Sequence, residues 1–188
     1  GHRGILRESL LLLTRKDITD EQAIERVSDE VVKELGGIGI LVNCAALMAQ
    51  IVDKPTIESD SERWDWAFDI NVKGSFLMSK AVVPSMRERG GGAIVNVASA
   101  GAFPATSLYG ITKIAVVGLT TTLATELAGD NIRVNAIAPG NTASAAGNSL
   151  TGSDEYRQAM EQMIPYMPYG EREDLLGSLL LLTTPAGR

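Results

Sequence analysis

The chain has 188 residues, is 45% hydrophobic and carries a formal charge of −6 at pH 7, which suits a single acidic globular domain over residues 1–188 and argues against an electrostatic nucleic-acid binder. No apolar run approaches the roughly 20 residues of a membrane span, and no charged start, apolar middle and small-residue cleavage site marks a secretory leader. One Cys and one His allow neither an internal disulfide nor a credible zinc site, which fits a reducing cytoplasm.

Taken in chain order, Leu10 to Leu13 read as a buried helix face. Residues 21–35 form the first clear amphipathic helix, with Ile24, Val27, Val31, Val32 and Leu35 on one face. Asp17 or Thr19 is placed to cap it, and Gly36-Gly37 ends it. Ile38 to Ala46 is a continuous apolar run, as expected of a strand buried on both faces. Cys44, near the end of this run, is expected to be an inert core thiol. Ser61 to Met86 reads as a long helix in one or two parts, and Gly90 to Gly92 punctuate it. Ala93 to Ala98 predicts a second buried strand, Tyr109 to Ala128 a helix, and Ile132 to Ala138 a third strand ended by Pro139-Gly140. A polar loop over 141–153 leads to helical stretches at 154–163 and 171–183. Alternating strands and helices with two-sided strands mean an α/β fold, a doubly wound parallel sheet with helices on both faces. Ligands in such sheets bind beyond the carboxyl ends of the strands, where Asn43 to Ala46, Ser99 and Pro139-Gly140 all fall.

Tyr109 and Lys113, in Tyr-Gly-Ile-Thr-Lys, stand four apart on the predicted helix and share a face. Ser99 closes the strand before that helix. An ammonium near a phenol favours the phenolate and lowers its pKa from about 10, so the trio could supply a proton donor at neutral pH. A lone Tyr-x-x-x-Lys is weak evidence, and its bland reading is a half-buried Tyr beside a solvated Lys. A Ser-His-Asp hydrolase built on Ser99 lacks Gly-x-Ser-x-Gly and would need His2, near the terminus, as its base.

With these elements in order, the chain resembles the short-chain dehydrogenase/reductase family, in particular its bacterial 3-oxoacyl reductase type. Leu41-Val42-Asn43-Cys44-Ala45-Ala46 is similar to the family's Asn-Asn-Ala-Gly strand end. Asn71, in Asp69-Ile70-Asn71-Val72-Lys73-Gly74, matches the helix Asn of a catalytic tetrad whose other members match Ser99, Tyr109 and Lys113. Arg133 to Gly140 matches the strand before the nicotinamide, and Lys16 to Asp20 the segment that touches adenine. The resemblance implies a Rossmann-like fold and a NAD- or NADP-dependent oxidoreductase acting on a ketone or secondary alcohol. Tyr109 would exchange a proton with the substrate oxygen. Lys113 would lower the Tyr109 pKa and hold the nicotinamide ribose. Ser99 would orient the substrate, and Asn71 would hold a water linking Lys113 to solvent. Asn71 read without the family is a helix polar residue bonding backbone.

The cofactor would lie on Arg3, Gly4, Ile5, Asp17, Ile18, Asn43, Cys44, Ala45, Tyr109, Lys113, Pro139, Gly140 and Thr142, and the substrate on Ser99, Ala102, Phe103 and Tyr109. Arg3, set against a Ser-Arg-Gly-Ile turn, points to NADP. The family also implies a homo-oligomer, a tetramer or dimer, through helices 61–86 and 110–128, with no nucleic-acid or membrane partner. A loop over 141–165, with Met160, Met163, Tyr166 and Met167, would form a lid.

The sequence departs from the family in places. Cys44 replaces an Asn, Ala46 a Gly, and Leu6 stands where the last Gly of the phosphate turn belongs. The Ser99–Tyr109 interval is shorter than in many members. The family's first strand, about 30 residues between Arg15 and Lys16 with the NAD/NADP selector, and the last strand have no counterpart here. The expectation is that these residues belong to a longer enzyme. The competing expectation, resting on the broken phosphate turn, is a non-catalytic binding or oligomerisation module of dehydrogenase-like fold.

Overall fold

The computed structural model describes residues 17–103, 105–142, 162 and 170–187. The first helix, α1 (Glu21–Leu35), is capped by Asp20, whose side chain accepts the Ala23 N–H at 3.0 Å. Asp17 does not cap it. Its carboxylate accepts the backbone N–H and the hydroxyl of Thr19 at 2.9 and 2.8 Å, the local turn Asp favours two residues ahead of a donor. Asp20 immediately precedes the first helical residue and wins the cap.

Three parallel strands, β1 (Ile40–Asn43), β2 (Gly92–Val97) and β3 (Ile132–Ile137), form one sheet in the order β1-β2-β3. The register pairs Leu41 with Ile94 and Ile94 with Val134, so these three share a face. On that face lie α3 (Gly74–Glu88) and α4 (Leu108–Leu127). Val82, Val83 and Met86 of α3 and Leu123 and Leu127 of α4 complete the core over those strand residues. The opposite face of β2 and β3 is covered by α5 (Leu176–Thr183). Arg133 of β3 donates to the carbonyls of Thr184 and Gly187 at 3.1 and 3.2 Å, a guanidinium closing the carbonyl end of a helix.

The expectation of a first strand buried on both faces does not hold. β1 is four residues long and alternates, with Leu41 and Asn43 buried but Ile40 and Val42 52% and 37% exposed. It lies at the edge of the described sheet, and its second face has no described helix on it. An apolar run thus reports what a strand can bury, while its neighbours decide what it does bury.

The predicted helix 61–86 is divided. α2 (Ser61–Phe68) passes into a π-helical turn, Asp69–Lys73, and then into α3. The turn directs Asn71 inward, where it is buried, the kind of site where such turns concentrate. α4 is apolar nearly all round. Contrary to the expectation drawn from continuous runs, it is long and apolar enough by length and composition to cross a membrane. Eight of its twenty residues are buried, Thr112, Lys113 and Thr120 among them, and it lies along β3.

Candidate active site

The carboxyl ends of all three strands meet at one rim. Ser99 follows β2, and the Ala100 N–H donates to the Pro139 carbonyl at 2.8 Å, so the segments after β2 and β3 run side by side. Ser99 opens a short turn, Ala100–Ala102, and its hydroxyl oxygen accepts the Gly101 N–H at 3.0 Å. That bond uses a lone pair and leaves the hydroxyl proton to give.

Tyr109 and Lys113 lie in the first two turns of α4, whose start is set by Ser107 accepting the Gly110 N–H at 3.1 Å. A Cβ on Gly110 would lie 2.6 Å from the Gly101 carbonyl oxygen and 2.8 Å from the Ala105 Cα. Glycine therefore lets the short loop after Ser99 rest on the helix beside Tyr109, which brings the strand-end hydroxyl to the helix phenol. Ala105 in this loop has φ 58°, a left-handed conformation costing roughly 1–2 kcal/mol outside glycine.

Lys113 is 3% exposed. Its ammonium donates to the Val97 carbonyl at 2.7 Å and lies 5.6 Å from the Tyr109 ring centroid, over the ring. Burial pulls its pKa from 10.5 down to about 8, with the neighbouring Cys44 opposing. Burial also pushes the Tyr109 phenol above its ordinary value. The Ser99 hydroxyl pulls it down and Cys44 adds to the rise. The expectation that Lys113 sets a lowered Tyr109 pKa is therefore corrected. The ammonium sits over the ring face, and burial dominates. The phenol is held in its protonated, donating form at neutral pH.

Asn71 is fully engaged. It accepts the Leu47 N–H at 2.7 Å and donates to the Leu47 carbonyl at 3.0 Å and to the Thr112 hydroxyl at 2.9 Å. Its side chain thus clamps the segment after β1 to α4 through the π turn. Asn43 is likewise buried, with its amide donating to Asn96 at 2.8 Å, the Ser79 hydroxyl at 3.2 Å and the Ser75 carbonyl at 3.3 Å. Asn96 in turn donates to the Thr120 hydroxyl at 2.9 Å. Asn43 therefore frames the site from below and does not face the rim. Ser75, Ser79, Asn96, Thr112 and Thr120 were not singled out from the sequence. The signal was present: Asn71, Ser75 and Ser79 recur every four residues on a helix whose same face is buried.

The remaining expected positions divide. Cys44 is exposed at the rim, not an inert core thiol, because β1 ends before it. Ala45 and Gly140 are exposed and Pro139 is half-buried beside it. Ile18 packs on α3, where a Cβ on Gly74 would lie 2.7 Å from its Cδ1, and this sets Asp17 and Ile18 against the first turn of that helix. The Thr142 hydroxyl turns back on the Gly140 carbonyl at 3.2 Å. Ala102 is fully buried and so cannot line a substrate site, whereas Phe103 is 59% exposed. Arg3, Gly4, Ile5 and the segment with Met160, Met163, Tyr166 and Met167 lie outside the described residues.

A hollow of about 420 Å³ lies at the opposite end of the sheet, lined by Arg89, Gly90, Asn131, Arg133 and Thr184 among others. The carbonyl ends of α1, α3 and α5 converge near it, and its guanidiniums already bond carbonyls of Gly36, Thr184 and Gly187. It is a helix-capping region rather than a second site.

The rim fits the ribose end of a nicotinamide nucleotide. The Lys113 ammonium has three donors, and the described structure gives it one partner, the Val97 carbonyl, and no ion pair. Two N–H groups beside a phenol can meet a vicinal diol.

A family model described as enoyl-(acyl carrier protein) reductase matches residues 6–188. Human dehydrogenase/reductase SDR family member 4 is 43% identical over 164 residues, covering 84% of this chain and 57% of its own length. A 3-oxoacyl-[acyl-carrier-protein] reductase from Thermotoga maritima is 35% identical over 171 residues, 89% of this chain and 68% of that protein. A short-chain type dehydrogenase/reductase from Mycobacterium ulcerans superposes with a TM-score of 0.84 at 31% identity, over 92% of this chain and 63% of that one. ElxO with NADP bound gives 0.82 at 28%, over 92% and 70%. The chain thus spans little more than half the length of the human relative.

Proposed function

The chain belongs to the short-chain dehydrogenase/reductase family, and from that premise we propose that it carries the catalytic part of a NAD- or NADP-dependent oxidoreductase for a ketone or secondary alcohol. The observation that carries the reading is the meeting of a protonated phenol, a buried ammonium and a serine hydroxyl at one strand-end rim. When bound, the nicotinamide supplies or accepts the hydride. Tyr109 gives its proton to the substrate oxygen as that oxygen gains charge, or takes one back in the other direction. The Ser99 hydroxyl donates a hydrogen bond to the same oxygen, keeping its own proton, and orients it. Lys113 holds the ribose hydroxyls with its two remaining N–H groups. A NADP-bound relative supports the cofactor class. The Thermotoga relative's name supports a 3-oxo compound among the ketones to be tried.

Asn71 is proposed to assist as a clamp. The water-holding role suggested by the family would fall to groups other than its side-chain amide, both of whose N–H donors already have partners. Assembly into a dimer or tetramer through α3 and α4 is part of the proposal, supported by the exposed side chains of Phe76 and Ile114 on those helices. So is a cytoplasmic site, supported by the single unpaired thiol.

The test is Tyr109→Phe, assayed with NADPH and NADH against a panel of ketones. Turnover should fall by about 10²–10⁴-fold with the fold retained. Turnover kept at the parent level would remove Tyr109 from the role and the reading with it.

A further inference from the structure

We propose that Thr112 is a positioning residue for Tyr109: its hydroxyl, held between the Asn71 amide and the Tyr109 carbonyl, sets the helix turn bearing Tyr109 and Lys113 against the segment after β1. The catalytic meaning of this inference rests on the oxidoreductase reading above, whereas the positioning itself does not.

The Thr112 hydroxyl donates to the Tyr109 carbonyl at 2.8 Å and accepts from Asn71 at 2.9 Å. Thr112 is completely buried and Asn71 nearly so. A threonine bonding a carbonyl three residues back is common and by itself only occupies a helix hydroxyl. Here the same oxygen also receives an amide from another element, and that amide is locked at both ends to Leu47. The connection therefore runs without a break from the Leu47 backbone through Asn71 and Thr112 to the backbone of Tyr109. The Ser75 hydroxyl extends it by donating to the Asn71 carbonyl at 3.3 Å, and the Ser79 hydroxyl donates to the Ser75 carbonyl at 2.7 Å.

This path matters because Tyr109 sits in the first turn of α4, where a helix has few backbone bonds to hold it. On one side Gly110 lets the backbone of Gly101 and of Ala105 press close. On the other, Thr112 is the side chain that joins this turn to Asn71. Without its hydroxyl, an Asn71 N–H is left unpaired in a buried site, and the cheapest relief is a shift of α4 relative to the π turn. Displacement of a reacting group by about 1 Å can lower a rate roughly 100-fold.

The experiment compares Thr112→Val, which keeps the shape and loses the hydroxyl, with Thr112→Ser, which keeps the hydroxyl. Two readouts are taken on the full chain. The first is the tyrosinate absorbance titration of Tyr109, isolated by subtracting a Tyr109→Phe background. The second is kcat and KM for ketone reduction. In Thr112→Val the phenol should move off Ser99, so its titration midpoint should shift to higher pH, and kcat should fall about 10–100-fold. Thr112→Ser should titrate with the parent and stay within about 3-fold of its kcat.

If Thr112→Val melts earlier yet titrates and turns over like the parent, the hydroxyl is only structural and the proposal is overturned. If valine prevents folding, Thr112→Cys, a weak hydrogen-bonder of similar size, takes its place for both readouts. A parent chain that reduces no ketone with either nucleotide would sink the oxidoreductase reading alone. The titration would then still decide whether Thr112 places Tyr109.

Discussion

Replacing Lys113 by Met removes a charge from a site that is almost closed to solvent, and the consequence can be measured with no knowledge of the substrate. Lys113 titrates at about 8 in the folded chain and at its ordinary 10.5 when unfolded. Below pH 8 both states hold the proton, and the folded state bears the full penalty of a buried ammonium. Between about 8 and 10.5 the unfolded chain binds more protons than the folded one, so the stability of the parent rises with pH. At about 1.4 kcal/mol per pH unit, the gap amounts to about 3 kcal/mol, most of it developed by pH 10.

Urea unfolding of the parent and of Lys113→Met at pH 7 and pH 10 reads this directly, because groups common to both chains cancel in the difference. The parent should gain about 2–3 kcal/mol on the variant between those two pH values. The Tyr109 phenol, held above its ordinary value, works in the opposite sense at higher pH and borders the substituted side chain, so the comparison stops at 10, before it titrates. Stabilities that run parallel from pH 7 to pH 10 would refute the reasoning. The same proton has an opposite effect on catalysis. The ammonium is the form proposed to hold ribose, so kcat/KM for reduction should fall as pH rises through about 8 while the fold becomes firmer.

Two further variants test the frame of the site. Asn71→Leu deletes the bonds to the Leu47 N–H, the Leu47 carbonyl and Thr112, leaving buried groups unpaired. Chemical denaturation should show a loss of about 3–5 kcal/mol, and a loss under about 1 kcal/mol would mean that the clamp carries little. Gly110→Ala places a methyl within 2.8 Å of backbone on the Ser99–Tyr109 loop, so both the melting temperature and turnover should drop. Gly118→Ala, further along α4 with open space at its Cβ, is the control and should stabilise by about 0.5–1 kcal/mol. Equal behaviour of the two alanine variants would remove the close loop approach from the account.

The sequence alone determined what depends on neighbours a few residues apart. Helix 21–35 has its stop signal in Gly36, the interruption within 61–86 was open to a two-part reading, and the pair Tyr109 and Lys113 shares a face because 3.6 residues make a turn. Three apolar runs predicted three parallel strands, and three stand among the described residues. The cap of α1 was misplaced by up to three residues because Asp17, Thr19 and Asp20 offer competing oxygens, and only backbone geometry selects among them.

Properties that depend on distant residues were decided by the tertiary structure. Ile40 and Val42 are exposed because no described helix covers that face of β1, whatever their hydrophobicity. Cys44 lies at the rim because its strand ends one residue earlier. The acidity of Lys113 and the protonated state of Tyr109 come from burial against elements far away in the chain, and a motif cannot report burial. Thr112 looks like any helix threonine until Asn71, forty-one positions earlier, is folded against it. Local pattern specifies which groups can reach one rim; packing decides which are dry, which are paired, and therefore which can move a proton.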